Sequence, residues 1–422
     1  MSGLLLSVAL VIAGCAVRAG APETPATPGT VSVLATWTDT ELAAFRSVVA
    51  PFESATGISV SYTATSDLAG EIDDRLAAGQ PLDLVGLTGP EHLARLARAG
   101  VLRDLGESPE LAGYVRETAP AFVRLGMVDE RLVGAFLKAT LKGLVWHGLG
   151  AAHLGEPDDW DDLIRTAARF SSDATRPWCV GLDSPGAPGW PGTDWIENIL
   201  LRQSGTRTWD AWVGGSLPWT APEIRTAFVT YLDVVSPGSV AGGTYGALTT
   251  DALAAGDGLF GDPPECLYAQ GASFQPTMFD AQVRHAGTDY DFFPMPEFEG
   301  GEPGAVEVAG DLFGLLSDRP EAARLLAWLT GVDAQRAWAA TGGALSANTL
   351  MTTYPDEVTR REAAVLTGAT QVRFDASDQM PAPIEAAFRR AILDVTREPE
   401  RLDEVLVDLE ALSAPSGRGP RS

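Results

Sequence analysis

The chain has 422 residues, of which 45% are hydrophobic, and it carries a formal net charge of −26 at pH 7. This length can bury a large core and corresponds to two or three domains at about 150 residues each. An acidic chain without a basic stripe argues against nucleic acid as a partner. No long apolar segment follows the first fifteen residues, so we do not expect the chain to form a channel or permease by itself.

The N-terminus has the pattern of an export signal. A short apolar run at residues 4–12 is followed by Ala13, Gly14 and Cys15, which resembles a bacterial lipoprotein signal peptide. The run is too short to cross a bilayer of about 30 Å, although a buried N-terminal helix is the alternative. We predict a signal peptide at 1–14, a lipid on Cys15 and a Pro- and Thr-rich tether over 15–30. The absence of Lys or Arg before the apolar run departs from the usual signal.

Cysteine and histidine usage fits an exported protein without a metal centre. In an oxidising compartment the remaining pair, Cys179 and Cys266, is expected to form a disulfide rather than a metal site. The four histidines show no zinc-like spacing. We therefore predict no metal and no cofactor.

Lysine is almost absent from the chain. Lys138 and Lys142 are the only two, and they lie four residues apart in one short segment. Preference for arginine explains the scarcity, but it does not explain the clustering. We expect a functional role for at least one of them.

The first hundred residues of the folded part alternate between strand and helix patterns. Strands are predicted over 31–37, 58–63 and 82–87, and helices over 39–56, 67–78 and 90–99. Such alternation predicts a parallel sheet with helices on both faces and a ligand at the carboxyl ends of its strands. Trp37, Asp39 and Thr88 are predicted to lie at those ends.

The rest of the chain indicates a second lobe. A hairpin at 128–134 and a strand at 143–147 precede a helix-rich stretch that extends to about residue 279. Strands over 291–295 and 311–316 are predicted to return to the first lobe, followed by helices over 320–329 and 334–341. We thus assign 31–142 and 290–343 to lobe 1, 143–289 and 344–413 to lobe 2, and 414–422 to a disordered tail.

Several segments spread over the chain resemble one protein family. The most specific is Gly189-Trp190-Pro191-Gly192-Thr193-Asp194-Trp195-Ile196-Glu197, and a second is Pro51-Phe52-Glu53-Ser54-Ala55-Thr56-Gly57-Ile58. They resemble family 1 extracellular solute-binding proteins, the receptors of ATP-binding cassette sugar importers, in their maltose and α-glucoside branch. The resemblance implies an α/β, two-lobed, periplasmic-binding-protein-like fold of type II. Each lobe would be a mainly parallel sheet flanked by helices, with the ligand cleft between the lobes.

The chemistry of sugar recognition selects candidate residues. A pyranose ring needs flat aromatic platforms for its C–H face and polar side chains for its hydroxyl groups. Trp190, Trp195 and Phe274 are the candidate platforms, and Trp37 is a fourth aromatic candidate at the predicted cleft edge. Each has the alternative role of packing its loop against the lobe. The polar candidates that the resemblance places around the cleft are Asp39, Asp67, Lys138, Gln270, Asp311, Arg373 and Asp375, and Thr88 joins them from its predicted position. Arg373 has the alternative role of an ion pair with Asp375 or Asp378.

The expected function is capture without chemistry. The lobes are expected to close over a carbohydrate and to deliver it, from a monomeric receptor anchored outside the cytoplasmic membrane, to permease subunits of the importer. Two alternatives stay open. One is a receptor for an anionic or polyol solute, such as a glycerol phosphodiester, held by Lys138, Lys142 and Arg373. The other is a secreted glycoside hydrolase, which would need two suitably spaced carboxyl groups.

Overall fold

A computed structural model describes residues 29–80, 82–279 and 284–413. The predicted signal peptide, the lipidation site at Cys15, most of the tether and the tail at 414–422 lie outside the described residues. The strands are β1 (Thr30–Ala35), β2 (Ser59–Ala64), β3 (Leu84–Leu87), β4 (Met127–Val128), β5 (Arg131–Leu132), β6 (Gly134–Leu141), β7 (Leu144–Gly148), β8 (Arg176–Cys179), β9 (Cys266–Gly271), β10 (Tyr290–Pro294), β11 (Ala305–Leu315) and β12 (Gln371–Phe374).

Helices account for most of the remaining elements. They are α1 (Asp39–Thr56), α2 (Leu68–Ala77), α3 (Pro90–Arg98), α4 (Ala112–Glu117), α5 (Pro120–Leu125), α6 (Trp160–Phe170), α7 (Trp190–Val213), α8 (Pro222–Val234), α9 (Gly243–Thr249), α10 (Pro320–Thr330), α11 (Val332–Ala339), α12 (Glu357–Gly368), α13 (Ala382–Arg397) and α14 (Leu402–Ser413).

The first sheet forms the centre of the first lobe. Its order is β12-β11-β3-β1-β2, with β6 pairing on β11. β1 runs parallel to both β2 and β3, so the predicted alternation of strand and helix is confirmed over the first hundred described residues. β11 runs antiparallel to β3 and β6. The carboxyl ends of β1, β2 and β3 therefore meet at one edge of this sheet.

Local sequence explains the helix between β1 and β2. α1 buries Phe45, Val48 and Phe52 on one face, as the spacing of its apolar residues predicts. It ends at Gly57, whose φ of 70° lies in the left-handed region and whose N–H bonds the carbonyl of Glu53. A glycine takes this helix-ending conformation without the penalty that a side chain would add.

The second sheet is mixed rather than mainly parallel. Its order is β10-β7-β9-β8, and of its three pairings only β8 with β9 is parallel. Whether a strand runs parallel or antiparallel depends on where the chain re-enters the sheet after a long helical segment. The local sequence pattern does not determine this. α6, α7, α8, α13 and α14 supply much of the buried core on this side.

Two strands lie in a different sheet from the one predicted. β10 was expected to return to the first lobe, but it pairs with β7 in the second sheet. β12 lies in a segment assigned to the second lobe, but it pairs with β11 in the first sheet. The strand at 291–295 was predicted correctly, whereas β12 lies in a segment that was expected to be helical. The pairing of both strands joins residues far apart in the chain, which local patterns do not determine.

The chain crosses between the two sheets at Lys142 and Gly143, which separate β6 from β7. Gly143 has a φ of 67°, and a Cβ atom there would lie 2.0 Å from the Asn198 side-chain oxygen on α7. The crossing is thus held against α7, and Lys142 is placed between the lobes.

Cys179 and Cys266 form the predicted disulfide. Their Cα atoms are 5.4 Å apart, and the bond joins the neighbouring strands β8 and β9. The expectation drawn from compartment and cysteine count is confirmed.

Candidate functional site

Three predicted polar residues follow the carboxyl ends of the parallel strands. Asp39 begins α1 with a φ of 44°, Asp67 precedes α2, and Thr88 follows β3; all three are exposed. Asp67 also caps α2, because its side chain accepts a bond of 3.0 Å from the Gly70 N–H. This edge of the first sheet therefore carries exposed polar groups, although Asp67 has a structural role of its own.

Lys138 and Asp311 are brought together on neighbouring strands. The Lys138 Nζ lies 2.9 Å from an Asp311 carboxylate oxygen and 2.5 Å from one of Glu41. Burial opposes the charged lysine, but Asp311 and Glu41 outweigh it and raise the pKa of Lys138 above its ordinary value. The positive charge of Lys138 is thus balanced by two carboxylates, which leaves it little capacity to bind an anionic ligand.

The prediction of Trp37 as a ligand platform is wrong. Its side chain is only 2% exposed and packs among Phe45, Phe313 and Trp338, with the Trp338 ring centroid 4.9 Å away. The indole is thus part of the core of the first lobe. The Lys138 Nζ lies 5.8 Å from its ring centroid.

Trp190 and Phe274 are the two predicted aromatic residues that stay partly exposed. Trp190 is the first residue of α7 and Phe274 follows β9; their ring centroids are 6.3 Å apart and their planes differ by 45°. Phe274 also faces the first lobe, since a Cβ atom on Gly343, beyond α11, would lie 3.6 Å from the Phe274 Cβ. The pair forms an aromatic wall at the junction of the lobes.

Trp195, the third predicted platform, is a core residue. It is 2% exposed and packs edge-on against Trp178 at 5.1 Å between ring centroids. The motif that sequence analysis treated as a loop begins a helix at Trp190. Residues five apart on a helix lie about 140° apart around its axis, so the two tryptophans face different sides.

Gln270 has an amide group that lacks a partner. Its Nε2 is buried and makes no hydrogen bond within the described residues. Gln270, Gln275, Asp194 and Trp190 line a small cavity of about 20 Å³. A space of this size holds about one water molecule or one ligand hydroxyl group. The cavity therefore offers both a donor and a carboxylate beside the aromatic wall.

Lys142 lies at the centre of a buried ionic cluster. Its Nζ is 2.9 Å from both carboxylate oxygens of Asp194 and 2.6 Å from one of Asp375, and it also lies 5.9 Å from the Trp190 ring centroid. Burial opposes the charged form, but Asp194 and Asp375 hold the pKa of Lys142 well above its ordinary value. The ammonium ion thus joins α7 to the segment after β12.

The two carboxylates respond differently to their surroundings. Burial raises the pKa of Asp194 to about 6, in spite of the Lys142 charge. Burial also acts on Asp375, but Lys142, the Asp378 N–H and the Ser377 hydroxyl lower its pKa below the ordinary value. Both groups are ionised at neutral pH and hold the ammonium between them.

Two further glutamates lie beside this cluster, and both are fully buried. Glu197 is on α7, three residues after Asp194, and Glu307 is on β11. Burial, together with Asp375, raises the pKa of each well above the ordinary value. Ionising both glutamates together is therefore less favourable than ionising two exposed ones.

The cluster has the oxygen spacing of a cation site, but a lysine already occupies its centre. Carboxylate oxygens of Asp194, Glu307 and Asp375 lie within 4.8 Å of one another. The Lys142 Nζ is bonded to two of these three groups. The lysine supplies the positive charge that a metal ion would otherwise provide.

Arg373, a predicted ligand residue, is engaged elsewhere. Its guanidinium makes two bonds to the Asp210 carboxylate at 2.5 and 2.7 Å. The ion-pair alternative was correct in kind, but the partner is Asp210 rather than Asp375 or Asp378.

A larger cavity is lined by other residues than the ionic cluster and the aromatic wall. It has a volume of about 510 Å³ and lies between α6, α7 and α8, lined by Trp160, Ile164, Gln203, Asp233 and Phe298. It contains none of the predicted site residues and does not adjoin the strand ends where α/β folds bind ligands. We therefore place the candidate site at the junction of the lobes.

Sequence analysis missed Asp194, Glu197 and Glu307 as site residues. Two signals were available. Asp194 and Glu197 lie three residues apart within the motif and so share a helix face. Glu307 interrupts the otherwise apolar start of the strand that became β11. An isolated acid in a buried strand indicates a polar network, but only the fold shows which residues complete it.

Comparison with known proteins agrees with this architecture. A family model for bacterial extracellular solute-binding proteins matches residues 36–336. The osmoprotective compounds-binding protein GgtB of Synechocystis sp. is 34% identical over 80% of this chain and 81% of its own length. The alpha-glucosides-binding periplasmic protein AglE of Rhizobium meliloti is 31% identical over 86% of this chain and 83% of its own.

Solved structures share the fold at low identity. Apo RafE from Streptococcus pneumoniae has a TM-score of 0.75 at 16% identity, with 93% of this chain and 99% of that chain covered. The solute receptor AcbH has a TM-score of 0.75 at 18% identity, with 92% and 98% covered. None of the helices in the described part of the chain is long and apolar enough to span a membrane. The chain belongs to the bacterial extracellular solute-binding protein family.

Proposed function

We propose that this protein captures a neutral carbohydrate, an α-glucoside or short oligosaccharide, between its two lobes and delivers it to the permease of an ATP-binding cassette importer. The observation that carries the proposal is the partly exposed pair of Trp190 and Phe274 beside the unpartnered Gln270 amide and the Asp194 carboxylate. The names of the relatives, which bind alpha-glucosides and osmoprotective compounds, support the same ligand class.

The free energy required for binding explains why both lobes are needed. Covering about 200 Å² of apolar surface on one indole contributes at most about 5 kcal/mol at 25 cal/mol per Å². A micromolar complex requires about 8 kcal/mol after immobilisation has been subtracted. One aromatic ring is therefore insufficient. The remaining free energy has to come from the second ring, Phe274, and from hydrogen bonds, which Asp39, Asp67 and Thr88 are exposed to supply.

The state of the cations favours a neutral ligand over an anionic one. Lys138 is paired with Glu41 and Asp311, Lys142 with Asp194 and Asp375, and Arg373 with Asp210. An anion would have to displace these carboxylates. The cations that would bind the phosphate of a glycerol phosphodiester are thus already paired with carboxylates of the protein.

The same contacts support capture without catalysis. Asp194 borders the small cavity, but both of its oxygens accept bonds from Lys142. A glycoside hydrolase needs one carboxyl group free to donate a proton and a second one placed to attack or to activate water. We propose a monomeric receptor, exported and lipid-anchored through Cys15, that binds its sugar and releases it unchanged.

Titration calorimetry with product analysis tests this function. The protein beginning at Ala16 is titrated with maltose, sucrose, trehalose, raffinose, glycerol and glycerol 3-phosphate, and the recovered ligand is analysed by chromatography. We expect at least one neutral sugar to bind, to be recovered intact, and to bind at least about tenfold more weakly to Trp190→Ala. Tyr245→Ala, which removes an aromatic ring that is 77% exposed on α9, is the matched control. Cleavage of the sugar or binding of the phosphate alone would overturn the proposal.

A further inference from the structure

The pair formed by Glu197 and Glu307 has an unusual deficit of hydrogen-bond donors. Both side chains are fully buried, and the Glu197 Oε2 accepts a bond of 2.8 Å from the Ala376 N–H. The other three carboxyl oxygens of the pair have no partner among the described residues. Each carboxyl group is close enough to the other to act on its pKa, yet two ionised carboxylates contain no hydrogen to donate.

The nearby cations do not remove this deficit. All three contacts of the Lys142 Nζ go to Asp194 and Asp375. The Arg202 guanidinium donates to the Met295 carbonyl at 2.9 Å and lies 3.4 Å from the Asn198 side-chain oxygen. An unpaired buried charge is costly, and a second one a few ångströms away is more so. A proton supplies both the missing charge and the missing donor.

We propose that Glu197 and Glu307 share one proton, with one side chain as a neutral acid that donates to the carboxylate of the other. We further propose that this pair is a positioning element that fixes Lys142 and Asp194 beside Trp190. The second statement rests on the proposed sugar site, and the first does not.

Backbone contacts connect the pair to each member of the ionic cluster. Glu197 is one helical turn from Asp194 on α7. The Glu307 carbonyl accepts a bond of 3.0 Å from the Lys142 N–H. The Ala376 N–H that binds Glu197 follows Asp375 directly. A repulsive second charge in the pair would therefore act on α7, on the crossing between the sheets and on the segment after β12 together.

Charged groups from three segments act on the pair. They are Asp194 and Arg202 on α7, Lys142 after β6, and Asp375 after β12. Asp194 and Asp375 disfavour a second ionised glutamate, and Lys142 and Arg202 favour it. Because Lys142 is already shared by two carboxylates, the acidic neighbours prevail.

Infrared difference spectroscopy of the mature protein tests the shared proton directly. The carbonyl stretch of a protonated carboxylic acid is compared in wild type, Glu197→Gln, Glu307→Gln and the double variant at pH 7. We expect each single variant and the double variant to lose the same amplitude, because one proton is removed in every case. A twofold larger loss in the double variant, or no loss at all, would overturn the proposal.

Controls keep this measurement interpretable. Glu362 on α12 is a separate buried acid with a raised pKa, so Glu362→Gln removes an independent band. Glu299→Gln removes an exposed carboxylate and should leave the band unchanged. If the single variants do not fold, the variant Glu362→Gln with Asp378→Asn decides, because it lacks the separate acids whose pKa is raised. A spectrum of that variant without any protonated carboxyl at pH 7 contradicts the proposal. A metal ion retained by the dialysed protein and removed by chelator with loss of thermal stability would also overturn it.

The pH dependence of sugar affinity tests the positioning role. For the neutral sugar that binds in calorimetry, wild-type affinity should fall about fivefold or more as the proton is lost at alkaline pH, a coupling of ordinary size. Glu307→Gln, which keeps a donor without a charge, should bind with little pH dependence. If both proteins show the same dependence, the positioning role fails while the infrared result stands. If no sugar binds at all, the proposed function fails and the shared proton is judged by its band alone.

Discussion

At the scale of single residues, Lys142 has three roles at once. It is buried, it neutralises two carboxylates from different elements, and it lies against the ring of Trp190. Lys138, the only other lysine, is also paired but reaches the partly exposed Glu41. The clustering of the two lysines in the sequence therefore reflects two ion pairs along one crossing strand.

Removing the Lys142 charge should be strongly destabilising. Lys142→Met keeps the length of the side chain but leaves Asp194 and Asp375 buried without a cation, which we expect to cost about 3–5 kcal/mol of unfolding free energy. Urea denaturation monitored by tryptophan fluorescence measures the change. Lys138→Met is the matched control and should cost less. Equal losses in the two variants would contradict the central place given to Lys142.

The buried glutamate pair also predicts how stability depends on pH. The folded-state pKa of Glu307 is raised, so its contribution is complete below about pH 4.5, the ordinary value, and is lost as pH rises toward the folded-state value. Glu307→Gln removes this titration. Relative to wild type, the unfolding free energy of Glu307→Gln should therefore rise by up to about 1.4 kcal/mol for each pH unit within that window.

Chemical denaturation of both proteins between pH 5 and pH 10 gives the difference curve. Asp375, whose pKa is lowered from its ordinary value of 3.8, adds almost no slope in this range. A difference that stays constant or reverses with pH would contradict a raised pKa for Glu307.

At the scale of elements, α7 shows what the sequence could and could not reveal. The motif from Gly189 to Glu197 was identified, and its tryptophans were recognised as candidates for stacking. Its helical start was not, because glycine and proline at its beginning are typical of a loop. In the fold, Pro191 occupies the first turn, and Gly189 and Gly192 allow α13 to approach, since a Cβ atom at Gly192 would lie 2.2 Å from Ile392.

This difference predicts that substitutions of Trp190 and Trp195 have opposite effects. Trp195→Ala creates a cavity in the second lobe and should cost about 3–5 kcal/mol of unfolding free energy. Trp190→Ala should affect stability much less and weaken sugar binding instead. Denaturation and calorimetry on the same two variants separate the roles. A severe loss of stability in Trp190→Ala with unchanged affinity would assign Trp190 to the core.

The disulfide is an element-scale connection between β8 and β9. It closes a sequence separation of 87 residues, so Cys179→Ala with Cys266→Ala should lower the unfolding free energy by about 2–5 kcal/mol. Urea denaturation with and without reductant measures this loss. The double variant should be insensitive to reductant. Free thiols in the unfolded, unreduced wild type would show that the bond does not form.

At the scale of the whole molecule, local patterns predicted more of the helices and strands than of their assembly. The alternation over the first hundred folded residues was correct, and the helices from residue 320 onward were close to those observed. The sheet membership of β10 and β12 was not predicted, because strand pairing joins distant segments. The buried cluster escaped prediction for the same reason: Lys142, Asp194, Glu307 and Asp375 come from four separate parts of the chain.

A crystal structure of the protein with the neutral sugar that binds in calorimetry tests the central claim most directly. We predict the sugar between the lobes, with a ring over Trp190, a hydroxyl group bonded to Asp194 or Gln270, and contacts from the first lobe through Asp39, Asp67 or Thr88. A sugar bound in the cavity between α6, α7 and α8, or one in contact with a single lobe only, would contradict capture by closure.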